Sequence, residues 1–100
     1  MFYVYILYSA SSNKYYVGYT SDYTRRLKEH NSSDRSTYTS KHRPWTLEAV
    51  FSYNGTEAEV IEIEKFIKRQ KSRKLIVQII GSETLTGILA QLVRVPQVRD

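Results

Sequence analysis

The chain contains no cysteine, one methionine, two prolines and four glycines in 100 residues. Without cysteine it can form neither a disulfide nor a thiolate metal site, a composition that fits a reducing, cytoplasmic setting. Long hydrophobic runs are also missing. No stretch approaches the roughly 18 apolar residues that a membrane helix requires. The first residues carry no basic region ahead of an apolar core, so no signal peptide and no membrane association are expected. Internal repeats and low-complexity tracts are absent. Acidic residues are outnumbered, with 10 Asp and Glu against 15 Lys and Arg, for a net charge of +5. A small basic domain suits an anionic partner, most often nucleic acid.

What is present is ordinary for one folded domain: 41% hydrophobic and 25% charged residues. Aromatic residues concentrate at the start of the chain. Phe2–Tyr8 is rich in β-branched and aromatic residues and predicts a strand, as does Tyr15–Thr20, with Ser9–Lys14 as the loop of an antiparallel hairpin. Period-two geometry puts Tyr3 and Tyr5 on one face, and Tyr16 with Gly18 on one face of the second strand. Gly18 weakens a strand unless something must approach closely.

Ser21 or Asp22 can cap a helix running to His30 or Asn31. On it Tyr23, Leu27 and Asn31 form one row and Arg26 and His30 the neighbouring row, while Arg25, Lys28 and Glu29 face solvent. The polar stretch Asn31–Pro44 predicts a loop. Leu47, Ala49, Phe51 and Tyr53 alternate in a third strand, Trp45–Tyr53, closed by Asn54-Gly55. Thr56 with Glu59 is a capping box, and Val60, Ile63 and Ile67 give the next helix its apolar stripe. Glu64 lies inside that stripe, a costly place for a carboxylate without a cation or hydrogen-bond partner. Ser72 breaks or recaps this helix, Arg73–Ile80 continues it, and Ser82–Val93 predicts a last short helix that packs Leu85, Ile88, Leu89 and Leu92. From Pro96 the chain is expected to fray. The order is β-β-α-β-α-α: an α+β domain with a small three-stranded antiparallel sheet flanked by helices.

No Ser/His/Asp set, glycine-rich phosphate loop, carboxylate pair or His/Asp cluster stands out. The polar groups aimed inward or onto one face are Tyr5, Tyr16, Arg26, His30 and Glu64. Singly, each has a commoner structural explanation: β-forming tyrosines, a surface arginine, a C-terminal histidine, a glutamate paired with Lys68. Together they suit phosphodiester hydrolysis. One carboxylate can hold a hydrated Mg²⁺, an arginine can neutralise phosphate oxygens, and a phenol or imidazole can take a proton from water.

In order and spacing these residues resemble the GIY-YIG endonuclease family, most closely its small single-domain branch. Tyr3-Val4-Tyr5 stands at the first triplet and Tyr16-Val17-Gly18 at the second, followed by Arg26, His30 and then Glu64 in Glu64-Lys65-Phe66-Ile67-Lys68. The same module forms one nuclease half of the nucleotide-excision repair incision subunit. The resemblance covers residues 2–80 and implies a nuclease-like domain over 1–80, with 81–100 as a C-terminal extension. It also implies metal-dependent cleavage of DNA in repair, recombination or processing. Tyr16 would be the base or water-orienting phenol, Tyr5 a ligand of phosphate or water, and Arg26 the stabiliser of the pentavalent phosphate. His30 would tune a tyrosine or accept its proton, and Glu64 would bind one Mg²⁺ or Mn²⁺. Lys41, Arg43, Lys65, Lys68, Arg69, Lys71, Arg73 and Lys74 are the candidate phosphate contacts, with DNA, duplex or branched, as the implied partner and RNA left open. No sequence-reading motif is present, so a partner protein that supplies targeting is a further expectation. Binding without catalysis is the alternative function. Two departures stand out. Tyr3 replaces the first glycine, and Ser72–Ile76 lacks the asparagine that larger members carry beyond the glutamate, which leaves Ser72, Arg73 or Lys74 for that place.

Overall fold

The computed structural model describes residues 1–32, 39–81 and 85–96. Strand β1 (Phe2–Ser9) is the centre of the sheet, paired antiparallel on one side with β2 (Lys14–Thr20) and on the other with β3 (Trp45–Tyr53). Val4, Tyr5, Ile6 and Leu7 are all at most 2% exposed. Alternation along a strand sends Val4 and Ile6 to one face and Tyr5 and Leu7 to the other, so both faces are covered.

One face carries helix α2 (Glu57–Arg69) and helix α3 (Arg73–Gly81). Val60, Ile63 and Ile67 of α2 and Ile79 of α3 pack there with Val4, Ile6, Val17, Ala49 and Phe51. Full burial of such side chains stabilises the fold by about 1.5–3 kcal/mol each. The capping box forms as expected: Glu59 N–H donates to Thr56 Oγ1 at 3.2 Å and Thr56 N–H to Glu59 Oε1 at 2.9 Å. Ser72 recaps the chain for α3 by accepting from the Leu75 N–H at 3.1 Å.

The opposite face carries helix α1 (Tyr23–Ser32), whose Tyr23 and Leu27 pack on Tyr5, Leu7, Trp45 and Val50. Asp22 caps it, its Oδ1 accepting from the Arg25 N–H at 3.1 Å. Asn31 clamps the far end to β3: its Nδ2 donates to the Trp45 carbonyl at 3.0 Å, and its Oδ1 accepts from the Trp45 N–H at 2.7 Å. That clamp holds the last turn of α1, with His30, against the sheet.

The sheet differs from the expected one by a fourth strand. β4 (Val93–Arg94) adds two residues to the outer edge of β3, giving the order β2-β1-β3-β4. The helix expected over Ser82–Val93 is replaced, within the described residues, by a 3₁₀ helix at Gly87–Gln91 followed by β4. Gly87 enters it with φ +64°, a left-handed conformation that a continuous α-helix does not contain. One 3₁₀ turn suffices to bury Leu89, while Ile88 stays 44% exposed. A second 3₁₀ turn, Thr39–His42, interrupts the expected loop Asn31–Pro44, whose residues 33–38 lie outside the described residues. The expectation for the chain end falls largely on 97–100, also outside them.

Candidate active site

Tyr5 faces Gly18 across the β1–β2 register, and its ring lies over the space that a side chain there would fill. A Cβ on Gly18 would meet Tyr5 Oη and stand 2.6 Å from Tyr5 Cζ. That passage brings the phenol to α1, where Tyr5 Oη and His30 Nε2 share a hydrogen bond of 2.9 Å. Tyr16 is half-buried beside them. Its ring meets the His30 imidazole edge to face at a centroid distance of 5.0 Å and the Tyr5 ring at 6.3 Å, and the buried Trp45 lies 6.0 Å away. Two strands and one helix thus place two phenols and an imidazole in contact.

Their electrostatics follow from burial. Tyr5 is 2% exposed. Desolvation pushes its pKa well above the usual tyrosine value, with Tyr16 adding to the rise and the positive charge of Arg26 opposing it. Tyr5 therefore keeps its proton at neutral pH. Burial lowers His30 to about 4, with the Arg26 and Arg43 cations adding to the drop against the pull of Glu29. Its imidazole is neutral.

Arg26 projects from α1 toward the same phenols. Its Nη1 donates to Glu29 Oε2 at 2.9 Å, and Arg25 holds the other carboxylate oxygen at 3.2 Å. Burial works to lower the guanidinium pKa, but the Glu29 hydrogen bond and the Tyr5 and Tyr16 phenols together outweigh it, and the net change is upward. Glu29 was expected to face solvent. Its spacing of three from Arg26 was the available signal that it anchors that side chain.

Glu64 comes from α2, on the other face of the sheet. Because β2 is the outermost strand, α2 side chains can reach Tyr16 past the sheet edge. Lys68 marks the route: its Nζ lies 2.6 Å from Glu64 Oε1 and 5.2 Å from the centre of the Tyr16 ring. The Glu64 side chain is only 13% exposed. Among the described residues no group of three or more His, Asp or Glu could cage a metal. The donor set is one hard carboxylate close to phenols. That fits an octahedral Mg²⁺ or Mn²⁺ that keeps most of its waters, and does not fit a multi-ligand zinc site.

The remaining basic residues divide. Arg43 belongs to the site's periphery, its Nε donating to the His30 carbonyl at 2.7 Å. His42 Nδ1 and Ser12 Oγ, 2.8 Å apart, tie the same segment to the hairpin loop. Lys41, Lys65, Arg69, Lys71 and Lys74 are exposed. Arg73 is bound at the hairpin turn, donating to the Asn13 carbonyl at 2.9 Å and to Asn13 Oδ1 at 2.6 Å, with its guanidinium over the Tyr15 ring. In the stretch where larger family members carry an asparagine, then, Ser72 caps α3, Arg73 holds Asn13, and Lys74 faces solvent.

Helices thus cover both faces of a small antiparallel sheet, with Tyr5, Tyr16 and His30 in contact on one face and Glu64 linked to Tyr16 from the other through Lys68. The model of the GIY-YIG catalytic domain matches residues 1–76, and the chain belongs to the GIY-YIG family. It is similar to a UPF0213 protein of Halobacterium salinarum, 38% identical over 69% of this chain and 87% of that protein. A UPF0213 protein of Halalkalibacterium halodurans is 37% identical over 74% of this chain and 80% of its own. One of Listeria welshimeri is 39% identical over 64% and 57% respectively, so this chain spans little more than half of that relative. No helix among the described residues is long and apolar enough to cross a membrane.

Proposed function

We propose that the protein is a metal-dependent endonuclease that hydrolyses DNA phosphodiester bonds, selecting DNA structure or a weakly defined sequence, in repair, recombination or processing. The observation that carries this reading is the contact between Tyr5 and His30, 25 residues apart in the chain, beside Tyr16 and within reach of Glu64 through Lys68. Residues 1–80 act as the nuclease unit, with 81–100 as an extension to it.

Each side chain has a task that its surroundings suit. Tyr16, the more exposed phenol, accepts a hydrogen bond from the attacking water with its oxygen and so orients that water toward phosphorus. Tyr5 keeps its own proton, so it serves as a hydrogen-bond donor to a phosphate oxygen or to His30. A neutral imidazole with a pKa near 4 is a weak proton acceptor, so His30 fixes the Tyr5 ring and does not drain its proton. Arg26 meets the non-bridging oxygens, where its planar donors face charge that grows in the pentavalent state. Glu64 would hold the divalent cation, which when bound neutralises charge on the leaving oxygen. The exposed Lys41, Lys65, Arg69, Lys71 and Lys74, with Arg43, give the phosphate backbone a basic surface.

The competing reading is a nucleic-acid-binding module without catalysis, and the Glu64–Lys68 pair favours it to the extent that it satisfies Glu64 without a metal. Supercoiled, branched and single-stranded DNA, together with RNA, incubated with Mg²⁺, with Mn²⁺ or with chelator separate the two. The nuclease reading expects cleavage of at least one DNA that stops in chelator. Binding to every substrate with no metal-dependent cleavage of any would establish the module instead.

A further inference from the structure

Lys68 is placed where a phosphate-binding lysine has no need to be. Its ammonium sits between the Glu64 carboxylate at 2.6 Å and the face of Tyr16 at 5.2 Å, inside the usual range of a cation–π contact. The lysine side chain is 46% exposed while the carboxylate it holds is 13% exposed, so the pair is anchored at its Glu64 end and open at its Lys68 end. A divalent cation on the same carboxylate would face the ammonium at close range, and like charges that near cannot both keep it. Lysine's four-carbon stem makes departure simple: the head can swing outward while Lys68 Cα stays on α2.

We propose that Lys68 is a counter-ion exchanged for the metal: it occupies Glu64 in the free protein, yields the carboxylate to the divalent cation, and carries its charge to the phosphate that arrives with it. The inference rests on Glu64 as the metal carboxylate and adds a positioning residue that couples the two ligands. In the free protein Lys68 weakens metal binding, and with nucleic acid bound the displaced ammonium gains a phosphate partner. Metal and nucleic acid therefore bind with positive coupling, each raising the affinity for the other by the same factor. Lys68 holds Glu64 against capture of stray cations until a substrate is present.

The test measures Mn²⁺ binding to the nucleic-acid-free protein from the electron paramagnetic resonance signal of unbound ion. Removing a partly exposed partner from a carboxylate corresponds to roughly a two- to fivefold effect, so Lys68→Met is expected to bind Mn²⁺ tighter by that factor. Lys68→Arg, which keeps the charge, stays near the wild-type value. Lys65→Met removes the same charge from a neighbouring exposed position and is expected to leave the affinity unchanged. In chelator, the same Lys68→Met protein binds a flap-bearing DNA duplex more weakly than wild type, with a shallower salt dependence. Opposite signs in the two assays are the signature of exchange. Unchanged or weaker Mn²⁺ binding in Lys68→Met, or an equal gain in Lys65→Met, overturns it. If Glu64→Gln binds Mn²⁺ as well as wild type, the Glu64 assignment falls and the exchange with it. Glu64-dependent binding that ignores Lys68 overturns the exchange alone.

Discussion

At Gly18 the lack of a side chain is what lets the Tyr5 ring cross β2 and reach His30. Gly18→Ala would drive a methyl into a ring that is itself 2% exposed and cannot swing into solvent. Overpacking of this kind costs about 1–3 kcal/mol, so the urea midpoint should drop and cleavage should fall with it. A variant with wild-type midpoint and activity would mean that Tyr5 does not need that passage. His30 carries a second residue-scale prediction. The folded protein holds it near 4 while an unfolded chain titrates near 6.5, so between those values the unfolded state binds more protons. Stability is therefore fully present above about pH 6.5 and is lost as pH falls toward 4. At pH 5 the loss from this group is about 2 kcal/mol. Urea titrations at pH 7 and pH 5 should show wild type losing that much more than His30→Gln, and equal losses in the two proteins would remove His30 as the cause.

At the scale of elements, α2 holds Glu64 in place through its own start. Thr56 and Glu59 satisfy each other's backbone N–H groups, and the buried Val60, Ile63 and Ile67 set the rotation that brings Glu64 toward the edge of β2. Thr56→Ala should cost about 1 kcal/mol in chemical denaturation with an unchanged m-value. A loss below a few tenths would show that packing alone fixes the helix. This cap was readable from sequence because both partners lie within four residues, as were the hairpin, the Ser72 restart and the shared row of Arg26 and His30. What was not readable depended on partners far along the chain. Asn31 gave no sign that it would clamp Trp45, since the pairing exists only once α1 lies across β3. β4 is too short to carry a periodic pattern, and its pairing with β3 is set by tertiary contact. Ser82–Val93 kept an apolar helical spacing, but Gly87 in a left-handed conformation overrode it.

Over the whole molecule the candidate site was legible as a set of residues before it was legible as a place. Tyr5, Tyr16, Arg26 and His30 belong to one face of the sheet and could be grouped by strand alternation and helix rows. Glu64 belongs to a helix on the other face, and only the position of β2 at the sheet edge joins it to Tyr16. The pairing of Lys68 with Glu64 was legible from their spacing of four; the place of Lys68 over the Tyr16 ring, at that junction, was not. Arg73, from the same basic run as Lys68, is bound to the hairpin turn. In the proposed function the basic surface and the carboxylate have separable duties, the first in holding a polyanion and the second in chemistry. Glu64→Gln tests that division most directly, with cleavage rate and DNA binding read on the same preparation and the best-cleaved DNA. Cleavage should fall by at least about 100-fold, the scale of losing a principal electrostatic group, while binding in chelator stays within about threefold of wild type. Cleavage that survives the substitution would contradict the account.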